Sequence, residues 1–141
     1  MPLTWDIVYY RQANDRVPVD EFLAGVPVKV RARLLAVLDD VAEAPPPQFS
    51  GGGRWEAMHA TMRGFYEVRV QGPGREQFRL FCILENAELE ELERRGLRGP
   101  AIAVITGLRK QWMTRLRESD YRAVRRLGDE YLAAIPRRIA Q

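Results

Sequence analysis

The chain has 141 residues, 46% of them apolar, enough for one domain with a buried core. Its 22 basic and 19 acidic residues leave a net charge of +3. One cysteine and one histidine exclude a disulfide framework and leave a transition-metal centre without ligands, so neither metal chemistry nor a cofactor is expected. Met1 to Asp6 lacks the basic and apolar regions of a leader, and no apolar run is long enough to span a bilayer. The expected product is a cytoplasmic domain covering residues 1–141, with no membrane partner.

Thr4 to Tyr10, with Trp5, Ile7, Val8 and Tyr9, predicts a first strand. Val17 to Leu23 predicts a short helix with early acids and Gly25 near its end. From Pro27, Val30, Leu34, Val37, Leu38 and Val41 recur on one helical stripe, which completes a helical hairpin. Ala44-Pro45-Pro46-Pro47 stops the second helix. Gly51-Gly52-Gly53 lacks the Lys-Ser/Thr of a phosphate-binding loop and is taken as a linker.

Trp55 to Met62 is expected to be extended. Phe65 to Val70 and Gln77 to Leu84 flank Gly72-Pro73-Gly74, so they predict an antiparallel hairpin carrying Arg69 and Arg79 at matching positions. Cys82 within the second run is expected to be a buried thiol. Asn86 to Arg95 predicts a helix capped by Asn86, with Glu90/Arg94 and Glu91/Arg95 at i, i+4. Ala101 to Ile105 is a further strand leading into Thr106-Gly107-Leu108-Arg109-Lys110. Ser119 or Asp120 is the expected cap of a last helix with Tyr121, Val124, Leu127, Tyr131 and Ile135 on its apolar stripe.

The element order predicts an α+β fold: a small, mostly antiparallel sheet, a helical hairpin on one face and a C-terminal helix. If the strands are neighbours, Arg69, Arg79 and Lys110 converge on one surface, a candidate phosphate-binding floor. Arg109, Lys110, Arg115, Arg117, Arg122, Arg125 and Arg126 outnumber Glu118 and Asp120 in one stretch, a charge bias that attracts polyanions but also suits a solvated helix face.

These runs, in their order, resemble the RelE/ParE toxin superfamily, and within it the HigB-like toxins of toxin–antitoxin systems. The resemblance is carried by Val17-Pro18-Val19-Asp20-Glu21-Phe22-Leu23 with Val26-Pro27, by Phe65-Tyr66-Glu67-Val68-Arg69-Val70, by Phe78-Arg79-Leu80-Phe81 and by Val104-Ile105-Thr106-Gly107-Leu108-Arg109-Lys110. It implies a RelE-like fold and a metal-independent endoribonuclease that cuts mRNA on the ribosome, restrained by a cognate antitoxin, usually a helix-turn-helix protein. It implies roles for Arg69 and Arg79 in charge stabilisation, for Lys110 in proton transfer, and for Tyr121 at the start of the last helix. Arg109, Trp112, Arg115 and Arg117 become candidate RNA contacts.

The chain departs from the pattern in three places. Thr106 stands where many HigB-like relatives have histidine, Trp112 and Met113 interrupt the basic stretch, and Asn86 to Gly99 replaces a short turn. The general acid and base are therefore unassigned. Each site residue also has a structural reading: Arg69 pairing with Glu67, Arg79 as a solvated strand residue, Tyr121 in core packing, Trp112 as an antitoxin or core anchor, His59 on the surface. A ParE-like gyrase poison and a non-catalytic binding module are the alternative functions.

Overall fold

The computed structural model describes residues 4–44 and 53–140. Strands β1 (Asp6–Tyr10), β2 (Trp55–Ala57), β3 (Phe65–Gln71), β4 (Gln77–Glu85), β5 (Ala101–Lys110) and β6 (Ile139–Ala140) form one sheet in the order β2-β3-β4-β5-β1-β6. β1 runs parallel to β5, and every other pairing is antiparallel. The fold is thus α+β with a mixed sheet. The predicted Gly51-Gly52-Gly53 linker lies largely outside the described residues.

One face carries the helical hairpin α1 (Pro18–Ala24) and α2 (Val28–Glu43). The stripe Val30, Leu34, Val37, Leu38 and Val41 is buried against Val68, Val70, Phe78, Leu80, Cys82, Ile102 and Val104. Several of these α2 residues are β-branched, so packing rather than intrinsic propensity holds the helix. Truncating Leu34 or Leu38 to Ala would cost about 2–5 kcal/mol. Phe22 of α1 lies directly against Gly107, whose missing Cβ is what admits the ring.

The opposite face is covered in part by α4 (Glu118–Ala133), which packs Val124 and Tyr131 on Val8, Phe81, Ala103 and Ile105. Strands buried on both sides become near-continuous apolar runs, as in Phe78 to Leu84. A charge inside such a run is costly unless paired, and that singles out Glu67, Arg69, Arg79 and Glu85.

Four local expectations are corrected. Helix α3 (Leu89–Arg94) starts after Glu88 rather than at an Asn86 cap. Helix α4 starts after Arg117: Asp120 is its third residue and accepts the Arg117 backbone N–H at 2.7 Å. Ile135 lies beyond that helix and is exposed. The strand beginning at Ala101 continues to Lys110, and a short β6 pairs with β1.

Glu85 anchors the 86–99 segment and the C-terminal tail. Its buried carboxylate accepts hydrogen bonds from Arg137 Nε (2.7 Å), Tyr131 Oη (2.7 Å) and Arg95 Nη1 (2.8 Å). Burial alone would raise its pKa, but the Arg137 and Tyr131 hydrogen bonds and the two arginine charges outweigh burial and lower it.

Candidate active site

Register decides what faces the part of the sheet that α4 leaves uncovered. Arg69 on β3 lies directly opposite Arg79 on β4, and Arg79 opposite Leu108 on β5. One step further towards the β3–β4 turn, Gln71, Gln77 and Lys110 are aligned, and one step back are Glu67, Phe81 and Thr106. Arg69, Arg79 and Lys110 therefore share a face, with Lys110 about 7 Å further along its strand than the arginine row.

A β-bulge creates this arrangement. Thr106 pairs with Phe81 while Val104 pairs with Cys82, which leaves Ile105 as an extra residue. Ala101, Ala103 and Ile105 point towards α4, and beyond the bulge the parity changes so that Leu108 joins that face. Lys110 follows Leu108. Arg109 is sent to the hairpin side, where it pairs with Glu76 (2.7 Å), donates to the Gly25 carbonyl (3.1 Å) and lies over the Phe78 ring. Arg109 thus takes the opposite sheet face from Lys110, yet still lines a surface cleft with Arg115 and Arg117.

Two opposed arginines repel, so something must hold them together. Glu67, only 6% exposed, approaches Arg69 Nε at 3.2 Å and Arg79 Nη1 at 3.5 Å. The more exposed Glu56, facing Glu67 from the edge strand β2, pairs with Arg69 Nη2 at 2.6 Å. Tyr121 reaches in from the first turn of α4, and its hydroxyl accepts a hydrogen bond from Arg79 Nη1 at 3.2 Å. Its ring packs edge-on to Phe81, so packing and contact with the site coexist in one side chain.

The cluster is incompletely satisfied. Glu67 Oε2, Arg69 Nε and Arg79 Nε are buried without a hydrogen-bond partner, since the charge contacts to Glu67 are not aligned as hydrogen bonds. Burial consequently dominates Glu67 and raises its pKa, against the lowering influence of Arg79 and Arg69 and with a small push from Glu56. A raised carboxyl beside two forked cationic donors combines a proton acceptor with a binder of nonbridging phosphate oxygens.

Glu67 is the residue that sequence reasoning missed as a chemical group, having treated it only as a partner for Arg69. The available signal was an acid inside a strand buried on both faces. Thr106 is buried beside Phe81. His59 is exposed just beyond β2. Arg115 and Arg117 are exposed and line a cleft with Lys110, Gln111, Thr114 and Asp120. Trp112 is 55% exposed, with the Arg75 guanidinium 4.8 Å from its ring centroid.

Among the described residues, no cluster of His, Cys, Asp and Glu side chains is placed to hold a metal ion, and no helix is long and apolar enough to cross a membrane. No family model, curated protein or solved structure matches the chain.

Proposed function

We propose that this sheet face cleaves single-stranded RNA by attack of a 2′-hydroxyl on the adjacent phosphate, as the mRNA-cutting toxin of a toxin–antitoxin pair acting at the ribosome. The observation that carries the reading is the opposed Arg69–Arg79 pair around one buried, incompletely hydrogen-bonded carboxylate. The resemblance of the sequence motifs to HigB-like toxins supplies the substrate class.

In this mechanism Glu67 accepts the 2′-hydroxyl proton, and the oxygen attacks phosphorus as the bond to O5′ breaks. Arg69 and Arg79 neutralise the charge that builds on the nonbridging oxygens. Tyr121 accepts from Arg79 and keeps its own hydrogen available for a phosphate oxygen. Lys110, on the same face, protonates the departing O5′, so the base role belongs to Glu67 and the acid role to the lysine. The products are a 2′,3′-cyclic phosphate and a 5′-hydroxyl end.

Glu56 is paired with Arg69, so an arriving phosphate exchanges with it. A cognate antitoxin, of the helix-turn-helix class on the resemblance, restrains the toxin by covering the basic surface around Arg115 and Arg117.

The test is induction in translating cells with transcript ends mapped, beside a DNA gyrase cleavage assay. Codon-related RNA breaks that vanish in Arg79→Ala, with gyrase unaffected, support the reading. Gyrase-dependent DNA breaks with intact RNA sink it in favour of a gyrase poison, and inactivity in both assays sinks it in favour of a non-catalytic binding module.

A further inference from the structure

The segment that follows β5 is unusual for a surface loop. The Thr114 backbone N–H and hydroxyl both donate to the Gln111 carbonyl, at 3.2 and 2.6 Å, which closes a four-residue turn. Met113, the third residue of that turn, has φ of +67°, the position of a type II turn that glycine or asparagine normally fills. A side chain held there strains the backbone, and local strain of this kind concentrates at binding sites. The turn also displays its two large apolar side chains: Trp112 is 55% and Met113 81% exposed.

The surroundings choose the kind of ligand. Arg75, from the β3–β4 turn, lies over the indole of Trp112. Lys110, Arg115 and Arg117 stand close by in sequence, while the nearby acids are already engaged, Glu76 with Arg109 and Asp120 with the Arg117 backbone N–H. A half-exposed ring with a guanidinium on one face and further cations close by in sequence suits an aromatic ligand that carries negative charge. A purely apolar partner would leave those cations without counter-charges.

We propose that the Trp112 turn is a stacking platform for one unpaired nucleobase of a single-stranded RNA, with Arg75, Arg115 and Arg117 taking its flanking phosphates. The platform rests on the RNA reading of the sheet face but is separate from the Arg69–Arg79 chemistry. It binds through π-stacking and charge, so it tolerates different bases and discriminates against base-paired RNA, whose faces are hidden.

The tryptophan distribution makes a direct assay. Trp5 and Trp55 are 8% and 5% exposed, so collisional quenching by neutral acrylamide is dominated by Trp112. The probe is a short 2′-O-methyl oligoadenylate, which lacks the 2′-hydroxyl nucleophile, compared with the same strand in a duplex and with polyphosphate. The oligoadenylate should quench Trp112 and shield it from acrylamide, whereas polyphosphate should do neither. Trp112→Ala should weaken oligoadenylate binding about ten- to a hundredfold, the loss expected for one base–aromatic stack, and leave polyphosphate binding unchanged. Trp112→Phe should retain most of the affinity.

Equal binding of both polyanions with no effect of Trp112→Ala would overturn the platform and leave only a basic surface. Shielding of Trp112 by a copurified antitoxin but not by the oligonucleotide would overturn it as well, making Trp112 a protein anchor. Arg79→Ala separates the two claims. Quenching that survives in that variant, in a protein whose wild type cuts no RNA, supports the platform and defeats only the cleavage reading; RNA cleavage without quenching does the reverse.

Discussion

Replacing Glu67 by Gln separates a chemical role from a structural one. At an effective dielectric near 20, a unit charge pair at the Glu67 distances of 3.2 and 3.5 Å gains about 5 kcal/mol before screening. Taking a carboxylate out of water costs several kcal/mol, and here neither contact is an aligned hydrogen bond. The raised pKa gives the sign of the balance: relative to water, the pocket disfavours the charge. Folding therefore favours protonated Glu67, a contribution present below the unfolded carboxylate pKa and lost as pH rises through the folded value.

The amide keeps the shape without that loss, so Glu67→Gln should change stability by no more than about 1 kcal/mol at neutral pH, well short of the roughly 3–5 kcal/mol expected when a tightly paired buried ion loses its partner. Cleavage should fall about 10²–10⁴-fold, the usual cost of a lost acid or base. The wild-type acid limb should lie above the ordinary carboxylate range and disappear in the variant. Thermal denaturation and an RNA-cleavage time course across pH read both quantities. A variant that unfolds readily, or one that cleaves normally, refutes the reasoning.

Glu56→Gln, which frees Arg69, should tighten binding of a non-cleavable RNA at low salt by a few-fold, about the 0.2–1 kcal/mol of an exposed ion pair; weaker binding would show that Glu56 orients Arg69 instead. Lys110→Arg should retain RNA binding but lose about 10²–10⁴-fold in cleavage, since arginine does not release its proton; normal turnover would make Lys110 a phosphate anchor. Arg137→Ala removes a partner of buried Glu85 and should destabilise the fold by about 3 kcal/mol at pH 7 in chemical denaturation. Because the pKa of Glu85 is lowered, its stabilisation is present above the unfolded carboxylate pKa and fades as pH falls through the folded value, so the deficit of Arg137→Ala should shrink in acid; a deficit independent of pH would contradict the assignment.

The helical hairpin, the arginine hairpin and the buried Cys82 were legible because each rests on local periodicity. The stripe from Val30 to Val41 and the alternation in Phe65 to Val70 announce their own faces. Neighbours in a strand always take opposite faces, but which of Arg109 and Lys110 joins the arginine face was not legible, because that depends on one extra residue at Ile105, and a bulge leaves no mark in a run that is apolar throughout. The burial of Glu67 was hidden for a related reason: it comes from the pairing of β3 with β4, which sets Glu67 opposite Phe81, and not from its own run. The start of α4 was misplaced by three residues at most, since Asp120 acts at the third helical position and not at the cap. The strand β6 is too short for any periodicity to reveal and exists only through its pairing with Tyr9 and Tyr10.

The central claim is that the Arg69–Glu67–Arg79 face performs 2′-hydroxyl attack on RNA, and the chemistry of the cut ends tests it most directly. Transcripts from translating cells should carry new 5′-hydroxyl ends matched by 2′,3′-cyclic phosphates when the wild-type chain is induced, and none when Arg79→Ala is induced to the same level. Ends bearing 5′-phosphate and 3′-hydroxyl, or identical cleavage by the Arg79→Ala protein, would contradict the account.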